Sequence, residues 1–313
     1  MLENIDKLPQ ISMVTSNFGD GQVFAEILKD WFEFIGGKPG EVVVVDCASS
    51  PDVQEIYWQL FKKGLIDKLQ VIQENHEDNY EGKNSGYIKE YTSGSIASKP
   101  YLLFFHVDTL PYREGHHDWL KKAIDYLERD DVFAIGGSFN KPAKHHDAWP
   151  GWYFSHKCSL NFSLMKRSTF MKAVHEFAGD YILSGFKGDN PNELRGRQGR
   201  FLIEAAFEAY MSNHKLYTLC KIEEPTWTVF HTNLHEERLK KARDDYLQRI
   251  DIDRFMNAGL EEGPPIPGQG KYYGNFYGKP NLGLIKQVRI SFGESWMGFY
   301  WRKVKQSLGL SNS

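Results

Sequence analysis

Cysteine is scarce in this chain of 313 residues: Cys47, Cys158 and Cys220 are odd in number, widely spaced and form no CxxC pair. That excludes a disulfide framework and a zinc ribbon, and it fits a reducing, cytoplasmic setting. An excess of charge of one sign is also lacking. A formal net charge of −3 gives no whole-protein field favouring nucleic acid, so no nucleic-acid partner is expected. No run of about 18 apolar residues occurs, which excludes an ordinary transmembrane helix. The opening Met1-Leu-Glu-Asn-Ile-Asp-Lys-Leu-Pro9 has no basic region leading into an apolar stretch and does not read as a signal peptide. Two phosphate-binding signatures are missing as well. Gly19-Asp20-Gly21 is too short for GxGxxG, and no GxxxxGK[ST] occurs.

What is present is an alternation of strand and helix patterns. With 41% hydrophobic residues the chain can bury a substantial core, as one large α/β domain with an appendage or as two domains. Ile11 to Ser16 is a short β-type run, broken by the turn formers of Asn17 to Gly21. From Gln22 to Ile35 the residues Val23, Phe24, Ile27, Leu28, Trp31 and Phe34 recur at helical spacing, and Gly36-Gly37 end the pattern. Glu41 to Asp46 reads as a second strand ending in a carboxylate, Pro51 opens a helix reaching about Lys63, and Leu69 to Ile72 is a third strand. A polar stretch from Gln73 to Gly82 precedes a helix over Tyr87 to Ile96. Such alternation implies right-handed βαβ crossovers and a largely parallel sheet.

The segment Tyr101-Leu-Leu-Phe-Phe-His106-Val107-Asp108-Thr109-Leu-Pro111 is an apolar run ending in a carboxylate. It reads as a strand covered on both faces, delivering Asp108 to a sheet edge, with Pro111 stopping the ladder. Open α/β sheets bind ligands outside the carboxyl ends of their strands, so Asp108 is a candidate metal or substrate ligand; a turn cap with Thr109 is the plain alternative. Asp46 and the Ser16-Asn17 turn would converge on the same crevice. Without a glycine-rich nest, a diphosphate there would need a divalent cation held by carboxylates.

The order of Ile11 to Asn17, Val42-Val-Val-Val-Asp46-Cys-Ala-Ser49, Gly82-Lys83-Asn84-Ser-Gly86 and Phe104-Phe-His-Val-Asp108-Thr109 resembles the nucleotide-binding half of family 2 glycosyltransferases with the GT-A fold. The resemblance covers roughly Pro9 to Asn233. It implies a Rossmann-like, mostly parallel central sheet flanked by helices over residues 1–234, nucleotide-binding to about 111 and acceptor-binding from about 112, followed by a C-terminal helical or irregular extension over 235–313. It assigns Thr15, Ser16, Asn17 and Asp46 to nucleotide-sugar binding, with Lys83, Asn84, His106, Asp108 and Arg200 completing the set. His106-Val107-Asp108 is similar to the His-x-Asp variant of the DxD motif, which leaves Asp108 as the carboxylate for a Mn²⁺ or Mg²⁺ ion. Asn161 to Arg167 resembles the strand leading to the acceptor side. Phe201 to Tyr210 resembles the helix start carrying the catalytic base, and Trp227 to Asn233 the late strand whose histidine, His231, completes the metal coordination.

Inverting transfer needs a base for the acceptor hydroxyl and positive charge for the departing nucleoside diphosphate. Glu204 is the preferred base, with Glu208 and Asp189 as alternatives; charges on a helix are otherwise its solvated face. His231 reads as a metal or diphosphate contact, against the reading of a hydrogen-bonded core histidine. The pairs His116-His117 and His145-His146 read as surface residues, because adjacent side chains diverge and no cysteine completes a zinc set. His145-His146-Asp147 before Trp149 to Phe154 could instead line an acceptor pocket. The loop from Gly185 to Arg200 fits a closing lid with Arg195, Arg197 or Arg200 available to phosphate.

Alternating charges from His235 to about Ile252 suit an exposed helix, and Glu262 to Gly270 suits a linker. The aromatic and basic tail, Phe292 to Lys305, fits docking on the domain or a second subunit, or peripheral contact with the inner face of a membrane. The expected partners are therefore a UDP-, GDP- or dTDP-linked sugar and a glycan or lipid-linked acceptor. Competing classes are a catalytically silent carbohydrate-binding scaffold and a sugar-1-phosphate nucleotidyltransferase, the latter disfavoured by the lack of a basic residue in Ser16 to Gly21.

Overall fold

Hydrophobic periodicity and local turn chemistry set the first elements. A computed structural model describes residues 6–72, 85–111, 118–136, 144–145, 153–155, 158–186, 203–220, 229–232 and 234–248. β1 (Ile11–Asn17) is buried at every position. α1 (Gly21–Ile35) starts after Asp20, whose φ of 52° is left-handed. It ends where Gly36 N–H returns to the Glu33 carbonyl and Gly37 N–H to that of Phe32, a closure that needs the left-handed φ of 92° at Gly36. β2 (Glu41–Asp46), α2 (Pro51–Lys62), β3 (Lys68–Val71), α3 (Ser85–Ile96) and β4 (Tyr101–Phe105) continue the alternation. Then come β5 (Thr109–Pro111), α4 (Trp119–Leu127), β6 (Val132–Gly136), β7 (Lys144–His145), β8 (Tyr153–Ser155) and β9 (Phe162–Lys166). α5 (Arg167–Leu183), α6 (Ile203–His214), β10 (Tyr217–Cys220), β11 (Val229–His231) and α7 (Glu236–Leu247) complete the set.

Nine strands form one sheet in the order β3-β2-β1-β4-β9-β6-β10-β8-β7. β3, β2, β1 and β4 are mutually parallel, and β10 is parallel to β6. β9 runs against both β4 and β6, and β8 against β10 and β7. The expected α/β class, a mostly parallel central sheet flanked by helices, is the one observed. The reversal of β9 has a consequence for the site: the start of β9 lies at the edge where β1, β2 and β4 end.

Helices cover both faces. On one, Trp31 and Phe34 of α1, Phe105 of β4, Trp119 of α4 and Phe162 of β9 pack together, with the Phe34 and Trp119 rings 5.0 Å apart. On the other, Tyr87 of α3, Phe170 of α5 and Phe207 of α6 pack over Phe104 and Phe133. This two-sided burial explains the unbroken Val42 to Val45 run.

Two segments differ from the sequence pattern. The Tyr101 strand leaves the large sheet at Phe105, and Pro111 does not merely stop a ladder, because it closes β5, which pairs antiparallel with β11. The helix after His235 is not exposed all round. Leu239, Ala242 and Tyr246 of α7 enter the α1 core, and Arg243 is held on Asp30 and Glu26 of α1 at 2.5 and 2.7 Å. α5, continuous by hydrogen bonding, departs from helical geometry at Ala178. Among the described residues no helix is long and apolar enough to cross a membrane.

Candidate functional site

The carboxyl end of β1 turns through Asn17-Phe18-Gly19, and side chains fix the turn. Asn17 Nδ2 donates to the Tyr57 hydroxyl at 2.6 Å, which donates to the Gly19 carbonyl at 2.8 Å, while Gly19 N–H donates to Ser49 Oγ at 2.9 Å. Thr15 Oγ1 and Ser16 Oγ, just before this turn, are buried without a hydrogen-bond partner. Asp46, ending β2, is fully buried; its carboxylate accepts from Ser49 N–H at 3.3 Å and from Gln54 Nε2 at 3.0 Å. In this structure Asp46 thus braces the start of α2.

Beyond β4 the chain makes a turn in which Thr109 N–H and Oγ1 both donate to the His106 carbonyl. The turn presents Asp108, 8% exposed. Its backbone carbonyl accepts from Thr232 N–H at 2.8 Å and Thr232 Oγ1 at 2.9 Å. Asp108 Oδ2 lies 2.9 Å from His231 Nε2, and His231 Nδ1 lies 3.1 Å from Asn161 Nδ2. Asp108 is therefore both a turn residue and the partner of a histidine 123 positions later. Burial works against its charge, but the charge and hydrogen bond of His231, with His106 and His235 nearby, hold its pKa at about 2. His106 moves the other way, to about 4, chiefly through burial, so it stands neutral beside that carboxylate.

Glu204 lies in the first turn of α6, half-buried, and its Oε1 accepts from Leu160 N–H at 2.9 Å. Leu160 and Asn161 are consecutive, at the start of the reversed strand β9. These two neighbours thus contact Glu204 through the Leu160 N–H and His231 through the Asn161 side chain. Glu208, one turn along α6, is exposed, which separates the two carboxylates by environment. Lys83, Asn84, Asp189, Arg195, Arg197 and Arg200 lie outside the described residues, as do His116, His117, His146, the linker and the tail.

Asp108 and His231 could share a cation with an anionic ligand, since an ionised carboxylate and an imidazole are suitable donors. Among the described residues no group of three or more His, Cys, Asp or Glu side chains could hold a metal ion by itself.

Two residues escaped the sequence reading. Asn161 was passed over as part of a strand. Glu90 of α3 falls on the stripe of Tyr87, Gly94 and Ala97, of which Tyr87 and Ala97 are buried; helical spacing places it beside them. Its Oε2 is buried with no hydrogen-bond partner. Burial, with the Glu204 charge adding to it against the opposing pull of Lys89, raises its pKa to about 8.

Comparison with known proteins finds no matching family model and no matching curated protein. Among solved structures the chain is similar to the mannosyltransferase PcManGT from Pyrobaculum calidifontis in complex with GDP-Man and Mn²⁺, at 14% identity and a TM-score of 0.43, covering 86% of this chain and 69% of that one. It is also similar to S. aureus TarS, at 12% identity and a TM-score of 0.34 over 53% of this chain and 29% of that one. For residues 1–349 of TarS the identity is 10% and the TM-score 0.37, over 84% of this chain and 77% of that one. Likeness of this degree assigns neither a reaction nor a ligand to the protein.

Proposed function

We propose that the protein is a glycosyltransferase that moves a sugar, with inversion, from a nucleoside-diphosphate donor to a hydroxyl acceptor. The observation carrying this reading is that Leu160 contacts Glu204 while the adjacent Asn161 contacts His231, which in turn contacts Asp108, at the edge where β1, β2 and β4 end. An ionised carboxylate and an imidazole suit the diphosphate end, and a half-buried carboxylate suits the acceptor end. The unpartnered hydroxyls of Thr15 and Ser16 lie at the same edge as donors awaiting a polar ligand.

In this mechanism Glu204, which accepts a hydrogen bond from the Leu160 N–H, takes the proton of the acceptor hydroxyl as its oxygen bonds to the anomeric carbon. The bond from that carbon to the phosphate oxygen breaks, and the leaving nucleoside diphosphate takes the electron pair. Asp108 and His231 would hold a divalent ion, Mn²⁺ or Mg²⁺, which when bound supplies Lewis-acid stabilisation of the diphosphate oxygens. Mg²⁺ in particular is commonly bound by one or two carboxylates plus substrate phosphates, which matches the sparse donor set. His106, neutral, puts no second positive charge beside that ion.

The test is calorimetry of nucleoside diphosphates and their sugars, with and without Mn²⁺, on the full chain and on Asp108→Ala and Glu204→Gln. Expected are metal-dependent binding lost in Asp108→Ala, and binding retained with transfer reduced by about 10²-fold or more in Glu204→Gln. Binding unaffected by Asp108→Ala removes the metal assignment, and a fully active Glu204→Gln moves the base elsewhere. Sugar binding without transfer by the unaltered protein favours the silent scaffold.

A further inference from the structure

The carboxyl of Glu90 has no role in the scheme above, yet one of its oxygens is buried without a hydrogen-bond partner. α3, which carries Glu90, packs against β1, β2, α5 and α6, the last of which carries Glu204, and the Glu204 charge acts on Glu90. We propose that Glu90 is the protonated partner of Glu204, so that the two carboxyl groups carry one negative charge between them and Glu204 is the ionised member.

Two observations support this assignment. Glu90 Oε2 is buried with no hydrogen-bond partner, and an ionised oxygen in that position would be far costlier than a neutral acid. Glu204, in contrast, accepts a backbone N–H from Leu160, which favours its charged form. Of two carboxyl groups that act on each other, the one with the donor ionises and the one without it keeps the proton.

The surroundings offer Glu90 little else. Lys89, next in sequence, and Glu204 are the charged groups acting on it among the described residues. The Cys47 thiol, pushed up to about 11 mainly by burial, is neutral and supplies no competing charge. Asp46 on β2 is occupied by Ser49 and Gln54. α5 meets α3 elsewhere, through His175 on Tyr91 and Arg167 on the Ser95 carbonyl.

Glu90 is thus a positioning residue, and this role rests on the reading of Glu204 as base. With Glu90 protonated, a crevice that must admit an anionic donor carries one carboxylate charge here and not two. The proton taken from the acceptor goes to Glu204, leaving the pair doubly protonated and neutral until Glu204 returns its proton to solvent. Ionisation of Glu90 at alkaline pH would place a second negative charge beside the first and weaken donor binding.

The experiment has two arms. In the first, thermal midpoints of the full chain, Glu90→Gln, Glu204→Gln and the double variant are measured from pH 5 to pH 9. Glu90→Gln is expected to gain on the unaltered protein progressively up to about pH 8, and Glu204→Gln is expected to move that curve down by about one pH unit. A Glu90→Gln difference independent of pH, or a curve unmoved by Glu204→Gln, overturns the pairing, and neither readout needs activity. In the second arm, donor KM is followed against pH. The rise in KM above about pH 8 should vanish in Glu90→Gln, whereas a Glu90→Gln variant as inactive as Glu204→Gln overturns the proposal by making Glu90 itself the base. If no nucleotide sugar is turned over, the functional reading fails while the first arm still decides the carboxyl pair.

Discussion

Glu41 opens β2 at the end of the sheet away from the site, and it ties four pieces of chain together. Its carboxylate accepts from Ser12 Oγ at 2.5 Å, from Ser98 N–H at 2.7 Å and from Ser98 Oγ at 2.8 Å, and it pairs with Lys68 Nζ at 2.7 Å. Burial pushes its pKa up, but Lys68, Ser12 and Ser98 together overcome that and hold it at about 2 against the ordinary 4.5. A depressed carboxylate contributes stability that is present above the unfolded pKa and lost as pH falls through the folded one. The gap corresponds to about 3 kcal/mol at pH 7, falling to about 1.4 kcal/mol at pH 3. Glu41→Gln removes the charge and keeps the shape, so the two proteins should differ by about 3 kcal/mol in urea unfolding at pH 7 and by about half that at pH 3. Every other carboxylate titrates alike in both, so the difference isolates Glu41. A difference that stays constant between pH 7 and pH 3, or is absent at both, refutes the reasoning.

Other outcomes follow from packing and from α7. An alanine in a helix interior ordinarily gains about 1 kcal/mol over glycine. At Gly94, however, a Cβ would stand 2.5 Å from Phe170 Cζ, so Gly94→Ala should lose about 1–3 kcal/mol in urea unfolding; a gain would show that Phe170 yields freely. Arg243→Ala strips the buried Asp30 of its 2.5 and 2.9 Å partners and should cost about 3 kcal/mol, with amide exchange in α7 rising; unchanged exchange would mean that Leu239, Ala242 and Tyr246 suffice. His235 is raised above its usual pKa by its hydrogen bond to Asp20. Its contribution is therefore present at low pH and lost as pH rises through the folded value. Amides at the start of α7 should exchange faster at pH 8 than at pH 6, after correction for intrinsic rates, and His235→Ala should abolish that dependence.

The first half of the fold was legible because each element announces itself locally. Val23, Phe24, Ile27, Leu28, Trp31 and Phe34 repeat at helical spacing, and Val42 to Val45 can only be a strand covered twice. Strand direction is not local. The run Phe162 to Lys166 looks the same whether parallel or reversed, and its pairing with both β4 and β6 decides the matter. At the site, Asp108 stood out because an apolar run ends at it, and Glu204 and His231 entered through resemblance. Glu90 remained hidden because a glutamate in a helix is ordinarily solvated, and only the packing of α3 against the sheet and α6 shows which way this one faces. The charged helix α7 misled for the same reason: Arg243 looks like a surface cation until Asp30 appears beneath it.

The small β5–β11 ladder joins Asp108 to residues more than a hundred positions later, with Thr232 clasping the Asp108 carbonyl and His231 its carboxylate. For a chain made from its N-terminus, β1 to β4 can pair while β11 is still unsynthesised. The turn at Asp108 must then wait, its carboxylate hydrated, until the ladder closes over it. The site is therefore among the last features to assemble. A nascent chain stopped before Val229 would carry the nearest strands yet lack the Thr232 and His231 contacts to Asp108, so the order of the chain itself makes this corner of the fold close late.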